Sequence, residues 1–199
     1  MNDKHKYLTD YLFDSRECVN SLQTDPAILD TVSMVSEACK NCLENGGKLL
    51  FAGNGGSAAD CQHMAGEYVS RFMFDRPALP AIALTTDTSI LTAIGNDYGF
   101  EDLFTRQLHG LARKGDIFFV YSTSGNSSNC LKAISTAKEL GVTTVGMTGS
   151  RGGEMDEQSD MLIRIPSTST PHIQEGHLII GHAICALVEK MIFADRSST

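Results

Sequence analysis

"DIFFVYSTSGNSSNCLKAISTAKELG", residues 116–141, carries the reading of the fold. "DIFFV" is apolar at consecutive positions instead of alternate ones, which suits a strand covered on both faces, as in parallel sheets. The hydroxyl-rich stretch 121–129 then leads straight into a helical pattern over 127–140, so this strand passes to a helix and not to a hairpin. The same unit recurs on either side: "KLLFAGN" before "SAADCQHMAGEYVSRFM", "PAIALTT" before "TSILTAIG" and "FEDLFTRQLHGLA", then "VTTVGMTG" and "DMLIRIP". Two amphipathic stretches, 4–23 and 26–45, come first; Asp25-Pro26 divides them, with Pro26 at a favoured first helical position, and Gly46-Gly47 ends the second. A long helix is predicted from 172 to 194. The expected architecture is α/β: a three-layer, doubly wound αβα sandwich around a five-stranded parallel sheet, with two N-terminal helices and a long C-terminal one. Residues 1–199 are expected to form one domain, with 1–45 as the helical pair and 46–199 as the α/β core.

Bulk properties narrow the function classes. With 199 residues, 42% of them hydrophobic, the chain is long enough for one well-packed domain and short for two. A formal charge of -8 and a pI of 5.1 argue against a general nucleic-acid binder, which would carry a basic stripe. No stretch reads as the roughly 20 apolar residues of a membrane span, and "MNDKHKYLTDYLFD" lacks the apolar centre of a signal peptide. A cytoplasmic protein with no membrane and no nucleic-acid partner is expected, acting on a small molecule or a protein. Six cysteines, at 18, 39, 42, 61, 130 and 185, are expected to be reduced thiols. Cys39 and Cys42 form a C-x-x-C, but no second pair accompanies them and the spacing is that of helix neighbours.

Ligands of open parallel sheets sit beyond the carboxyl ends of the strands, which directs attention to three loops. In "GNGGSAAD", residues 53–60, the glycines permit close approach of a ligand to the backbone, and Ser57 is the expected N-cap of the next helix. The loop fits neither G-x-G-x-x-G nor a Walker pattern, and a tight capped turn would use the same residues. In the serine loop, Ser122, Thr123, Ser124 and Ser127 offer hydroxyls, Gly125 lets the chain turn, and a helix N-terminus aims its amides and dipole inward. One cap cannot use four hydroxyls, so the loop is read as a cradle, without a lysine, for a phosphate that is anchored and not transferred. In "IGNDYGF", Asn96 and Asp97 follow a short helix and also fit a plain turn.

Two helices add polar groups. His63 and Glu67 lie four apart on one helix face close behind the glycine loop, where a carboxylate could serve as a general base and the pair could hold a divalent metal. A solvated polar pair would look the same. Gln174, His177 and His182 interrupt the otherwise apolar last helix; a histidine in such a place is more often a hydrogen-bonded core residue. Eight residues between Gln174 and His182 amount to about 12 Å of helical rise, which strains any one site shared by both.

Taken in order, "GNGGSAAD" with "HMAGE", "IGNDYGF", "STSGNSSN", "TGSRGGEM" and "IQEGHLIIGH" resemble the sugar isomerase (SIS) domain family, and within it the isomerases of seven-carbon sugar phosphates. The resemblance spans nearly the whole chain. It implies a flavodoxin-like fold, a homotetramer with active sites at subunit interfaces, and interconversion of sedoheptulose 7-phosphate and D-glycero-D-manno-heptose 7-phosphate for lipopolysaccharide core synthesis. It further implies that Asn54, Gly55, Gly56, Ser57, Asn96, Asp97 and Gln174 contact the substrate, and that Ser122, Thr123, Ser124 and Ser127 hold its phosphate. It also implies zinc, one per subunit, on His63, Glu67, Gln174 and His182, and no nucleotide cofactor. Glu67 is then the expected base and His182 the acid, working across the site, with Arg71 a weaker candidate for a substrate contact. Two departures stand out: Gly66 and the segment "STSTPHIQ" lack acids that some members carry, and in the second His172 could substitute. The competing readings are a SIS protein that binds the replication initiator DnaA and a sugar-phosphate sensor. The first is disfavoured because Glu67 and His182 are both present.

Overall fold

The structure, a computed structural model, describes residues 2–193. α1 (Asp3–Thr24) and α2 (Pro26–Glu44) open the chain, with Asp25 accepting from the Ala27 amide as N-cap and Pro26 in the first turn of α2. There follow β1 (Leu49–Gly53), α3 (Gly56–Val69), β2 (Ala81–Ala83), α4 (Thr88–Asp97), a 3-10 turn Phe100–Asp102, α5 (Thr105–Leu111), β3 (Ile117–Tyr121), α6 (Ser128–Glu139), β4 (Thr143–Gly149), α7 (Met155–Gln158), β5 (Met161–Ile165) and α8 (Thr170–Phe193). The five strands are all parallel, in the order β2-β1-β3-β4-β5. The doubly wound reading holds. Residue 194, expected to end the last helix, lies outside the described residues.

Consecutive apolar residues were the clue to parallel strands, and the packing shows why. Leu49 and Phe51 of β1, and Ile117, Phe119 and Tyr121 of β3, point into a core shared with α2, α3 and α8. Their neighbours Leu50, Ala52, Phe118 and Val120 point into a second core under α4, α5 and α6. Every residue of β1 and β3 is buried, and each large side chain so covered contributes about 1.5–3 kcal/mol. All six cysteines are free and buried; burial pushes the Cys42 thiol up to about 11, so it is held as a thiol in the core and not as a reactive thiolate.

α8 corrects one expectation. Its 24 residues are long and apolar enough to cross a membrane, yet half of its most apolar stretch is buried inside the fold. It is a core helix: Gly181 brings it so close to α3 that a Cβ there would stand 2.8 Å from Met64 Sδ. His177 takes the core role. It is fully buried, its ring meets Tyr121 edge-on at 5.4 Å, and its Nε2 pairs with the Thr148 carbonyl at 3.2 Å. Burial is the main cause that lowers its pKa to about 4, opposed by the bond to Thr148, so the ring is neutral at pH 7 and donates to that carbonyl.

A histidine depressed on folding stays neutral while its unfolded counterpart, near 6.5, takes up a proton, so stability falls as pH drops below 6.5 and levels off near 4. The protein should lose about 2 kcal/mol on this group between pH 7 and pH 5. Urea unfolding at the two pH values checks it: the loss should be smaller by that amount in His177→Leu, and equal losses in both proteins would refute it.

Candidate active site

Strand order reverses between β1 and β3, since β1 connects outward to β2 and β3 outward to β4. The crevice at such a switch point is where open α/β sheets bind ligands. The glycine and serine loops both leave from it, because Gly53 pairs in register with Tyr121. A reciprocal amide pair ties them together: Asn54 donates to Asn129 and Asn129 to Asn54, each at 2.9 Å. Asn54, expected to contact substrate, thus has a bracing partner of its own.

The glycine loop turns at Gly55, whose φ of 59° is a left-handed conformation that favours glycine. Gly55 is also the N-cap of α3, with no side-chain capping bond. Ser57 is therefore not the N-cap expected from the sequence; it lies inside the first turn, 3% exposed. Gly56 makes room for Gln174, whose amide nitrogen would stand 2.6 Å from a Cβ at that position. Gln174 thus faces the first turn of α3, seven residues and about 10 Å of helical rise before His63.

In the serine loop, Ser127 is the N-cap of α6 but makes no side-chain capping bond. Its hydroxyl pairs instead with Ser122 at 3.0 Å, and Ser122 also neighbours Ser124 at 3.4 Å. Ser122 is buried, Thr123 and Ser127 are half-buried and Ser124 is exposed. The result is a cluster of mutually bonded hydroxyls beside the uncapped N-terminus of a 12-residue helix, an arrangement of donors suited to an anion. Arg151 is a basic residue that the sequence did not place here: with Thr123, Ser124, Asn126 and Thr170 it lines a cavity of about 220 Å³ on this loop.

α3 and α8 bring together the second group. His63 Nε2 lies 2.7 Å from His182 Nε2 and 3.2 Å from Glu67 Oε1, and ligand atoms of all three lie within 4.8 Å of one another. His63 and Glu67 share a face because they are one turn apart, and the close α3–α8 approach at Gly181 carries the neighbouring His182 to them. Glu67 and His182 therefore sit side by side in one chain and do not oppose one another across a gap. The Phe72 ring stacks on His182, with centroids 5.4 Å apart and planes at 29°. Two imidazole Nε2 atoms that face each other cannot both carry a proton toward the other. With the Glu67 oxygen they make a donor set that could hold a metal ion through N, N and O.

Two sequence candidates lie elsewhere. Asn96 and Asp97 do not follow a helix; they are the last residues of α4, both exposed, with Asn96 donating to Asp97 at 2.7 Å. His172 is buried against Tyr11 of α1, centroids 4.7 Å apart. Gly66 is open, with nothing within 4 Å of a Cβ there.

Comparison with known proteins identifies the family. The family model of the SIS domain matches residues 11–149. The chain belongs to the SIS domain family. It is 56% identical over 192 residues to the phosphoheptose isomerase of Burkholderia pseudomallei, covering 96% of this chain and 98% of that one. The phosphoheptose isomerase of Aneurinibacillus thermoaerophilus is 53% identical over 196 residues, 98% of each chain. Among solved structures, a phosphoheptose isomerase from Neisseria gonorrhoeae superposes with a TM-score of 0.87 at 38% identity, covering 94% of this chain and 98% of that one. This SIS protein is accordingly an enzyme, an isomerase of sugar phosphates.

Proposed function

We infer that the enzyme interconverts sedoheptulose 7-phosphate and D-glycero-D-manno-heptose 7-phosphate, supplying heptose for the lipopolysaccharide core. The observation that carries this reading is the convergence of His63, Glu67 and His182 from α3 and α8, in a fold whose switch-point crevice carries a hydroxyl cluster at a helix N-terminus. The cluster of Ser122, Thr123, Ser124 and Ser127 holds the phosphate. Ser57, Gly55, Gly56, Asn54, Gln174, Asn96 and Asp97 line the sugar, those remote from the crevice serving a neighbouring subunit's site in a homotetramer. The chain works as one domain in the cytoplasm.

Aldose–ketose exchange removes a proton from one carbon, passes through an enediol, and returns a proton to the adjacent carbon while protons shift between the two oxygens. Glu67 takes and returns the carbon-bound proton, and His182 serves the oxygens. Their placement side by side suits a cis-enediol, whose two carbons exchange protons on one face. His63, Glu67 and His182 have the donor types and convergence of a three-ligand zinc site; Gln174 of the same chain faces Gly56, a turn and more away, so the fourth-ligand role expected for it falls to a neighbouring subunit's Gln174. Zinc bound there would polarise the carbonyl and stabilise negative charge on the enediol oxygens.

The experiment is to supply purified protein with sedoheptulose 7-phosphate and follow anomeric signals of the aldose by NMR, with metal analysis of protein prepared without chelator. Aldose 7-phosphate at a catalytic rate, with about one zinc per chain, is expected. Binding without turnover would replace the isomerase reading by a sensor, and full activity at well below one metal per chain would remove zinc from it.

A further inference from the structure

Of the polar groups outside the site, one pair is buried more deeply than any charge the chemistry uses. The side chains of Arg76, in the loop after α3, and Glu189, near the end of α8, are each 1% exposed and joined by a 2.9 Å bond from Nε to Oε1. Desolvating two charges is costly, and apolar residues of similar volume often give equal or greater stability. What distinguishes this pair is the backbone it holds.

Arg76 Nη2 donates to the carbonyl of Glu67 itself at 2.8 Å, and Nη1 to the carbonyls of Tyr68 at 2.7 Å, Pro77 at 3.1 Å and Ser70 at 3.3 Å. α3 ends at Val69, so Glu67 and Tyr68 carry carbonyls of its last turn, which have no partner within a helix. A guanidinium there supplies both the missing donors and the positive charge that a helix C-terminus favours. Glu189 completes the grip from the other side: Oε1 also accepts from the Phe72 amide at 3.1 Å, and Oε2 from the Met73 amide at 2.8 Å. The Phe72 ring, fixed in this way, is the one stacked on His182. Glu189 stands seven residues, two turns, beyond His182 on the same side of α8.

We propose that Arg76 and Glu189 are positioning residues of the isomerase site, one end of the pair holding the α3 turn that carries Glu67 and the other holding Phe72 against His182. The proposal rests on the reading that Glu67 and His182 move the protons. It separates two kinetic quantities, because the phosphate cradle lies on the β3–α6 loop, which this pair does not touch. Loss of the pair should slow the proton transfers and leave substrate binding nearly intact.

The test uses the full chain with both residues replaced by apolar ones of similar volume, Arg76→Met/Glu189→Met. Expected are a folded protein, kcat for sedoheptulose 7-phosphate at least tenfold lower, KM within twofold of wild type, and a crystal structure in which Phe72 has left His182. A folded double variant with wild-type kcat, or one in which kcat falls only in proportion to the folded fraction, overturns the proposal. Should the double variant not fold, Glu189→Gln decides. Its amide leaves the Phe72 or the Met73 N–H facing an NH2 group; the same split supports the proposal and unchanged kcat overturns it. The crystallographic Phe72–His182 separation reads the pair without turnover. Movement of Phe72 in a variant, beside a fully active Glu67→Gln, would sink the catalytic reading and not the positioning one. If wild type does not turn over this sugar, that separation alone decides: unmoved Phe72 and His182 overturn the proposal.

Discussion

Glu67→Gln should lower kcat for sedoheptulose 7-phosphate by two to four orders of magnitude, the usual contribution of a positioned general base of about 10²–10⁴. The substitution is close to isosteric. It keeps an oxygen to face His63, now 3.2 Å from Oε1, and it leaves untouched the backbone carbonyl that Arg76 holds. What it removes is the capacity to accept a proton from carbon. KM should stay within a few-fold of wild type and the size of the assembly in light scattering should not change. Steady-state kinetics settles the matter: near-native kcat in this variant would eliminate Glu67 as the base.

Arg76→Met alone should be the most destabilising of the substitutions considered. It removes the cation and strands the Glu189 carboxylate at 1% exposure with only the Phe72 and Met73 amides to hold it. Leaving one member of a buried pair uncompensated costs about 3–5 kcal/mol. The urea midpoint should drop accordingly, and the second substitution Glu189→Met should recover much of the loss by removing the stranded charge. A single variant as stable as wild type would show that water or a rearranged neighbour already screens the carboxylate.

The layers of this fold were legible because burial on two sides writes itself locally. "KLLFAGN" and "DIFFVYS" have no polar residue at alternate positions, and both became central strands buried throughout. "PAIALTT" yielded only three strand residues, Ala81–Ala83, at the sheet edge where Ile82 is exposed. The short α7 went unread, since four residues give no period to detect. Helix ends were less legible than helix bodies: Ser57 is a good capping residue, but the left-handed turn at Gly55 starts α3 before it.

The candidate site divides in the same way. His63 and Glu67 could be joined from the sequence because one helical turn separates them. Their meeting with His182 follows from the crossing of α3 and α8, which depends on Gly181 leaving room for Met64. Arg76 and Glu189, 113 residues apart, carry no local mark that either is buried. A lone arginine in a loop and a lone glutamate late in a helix read as solvated charges, and only the folded chain gives them common partners.

The paired amides of Asn54 and Asn129 have a consequence for how this enzyme meets its substrate. Two loops that gripped opposite sides of a sugar independently would each have to give up freedom on binding, and ordering a backbone residue costs about 1–2 kcal/mol. Bolted to one another by two 2.9 Å bonds, the glycine and serine loops have already lost that entropy during folding. If these loops hold the sugar phosphate as proposed, association carries little ordering penalty, and the affinity of the contacts goes to holding the ligand instead of shaping its cleft.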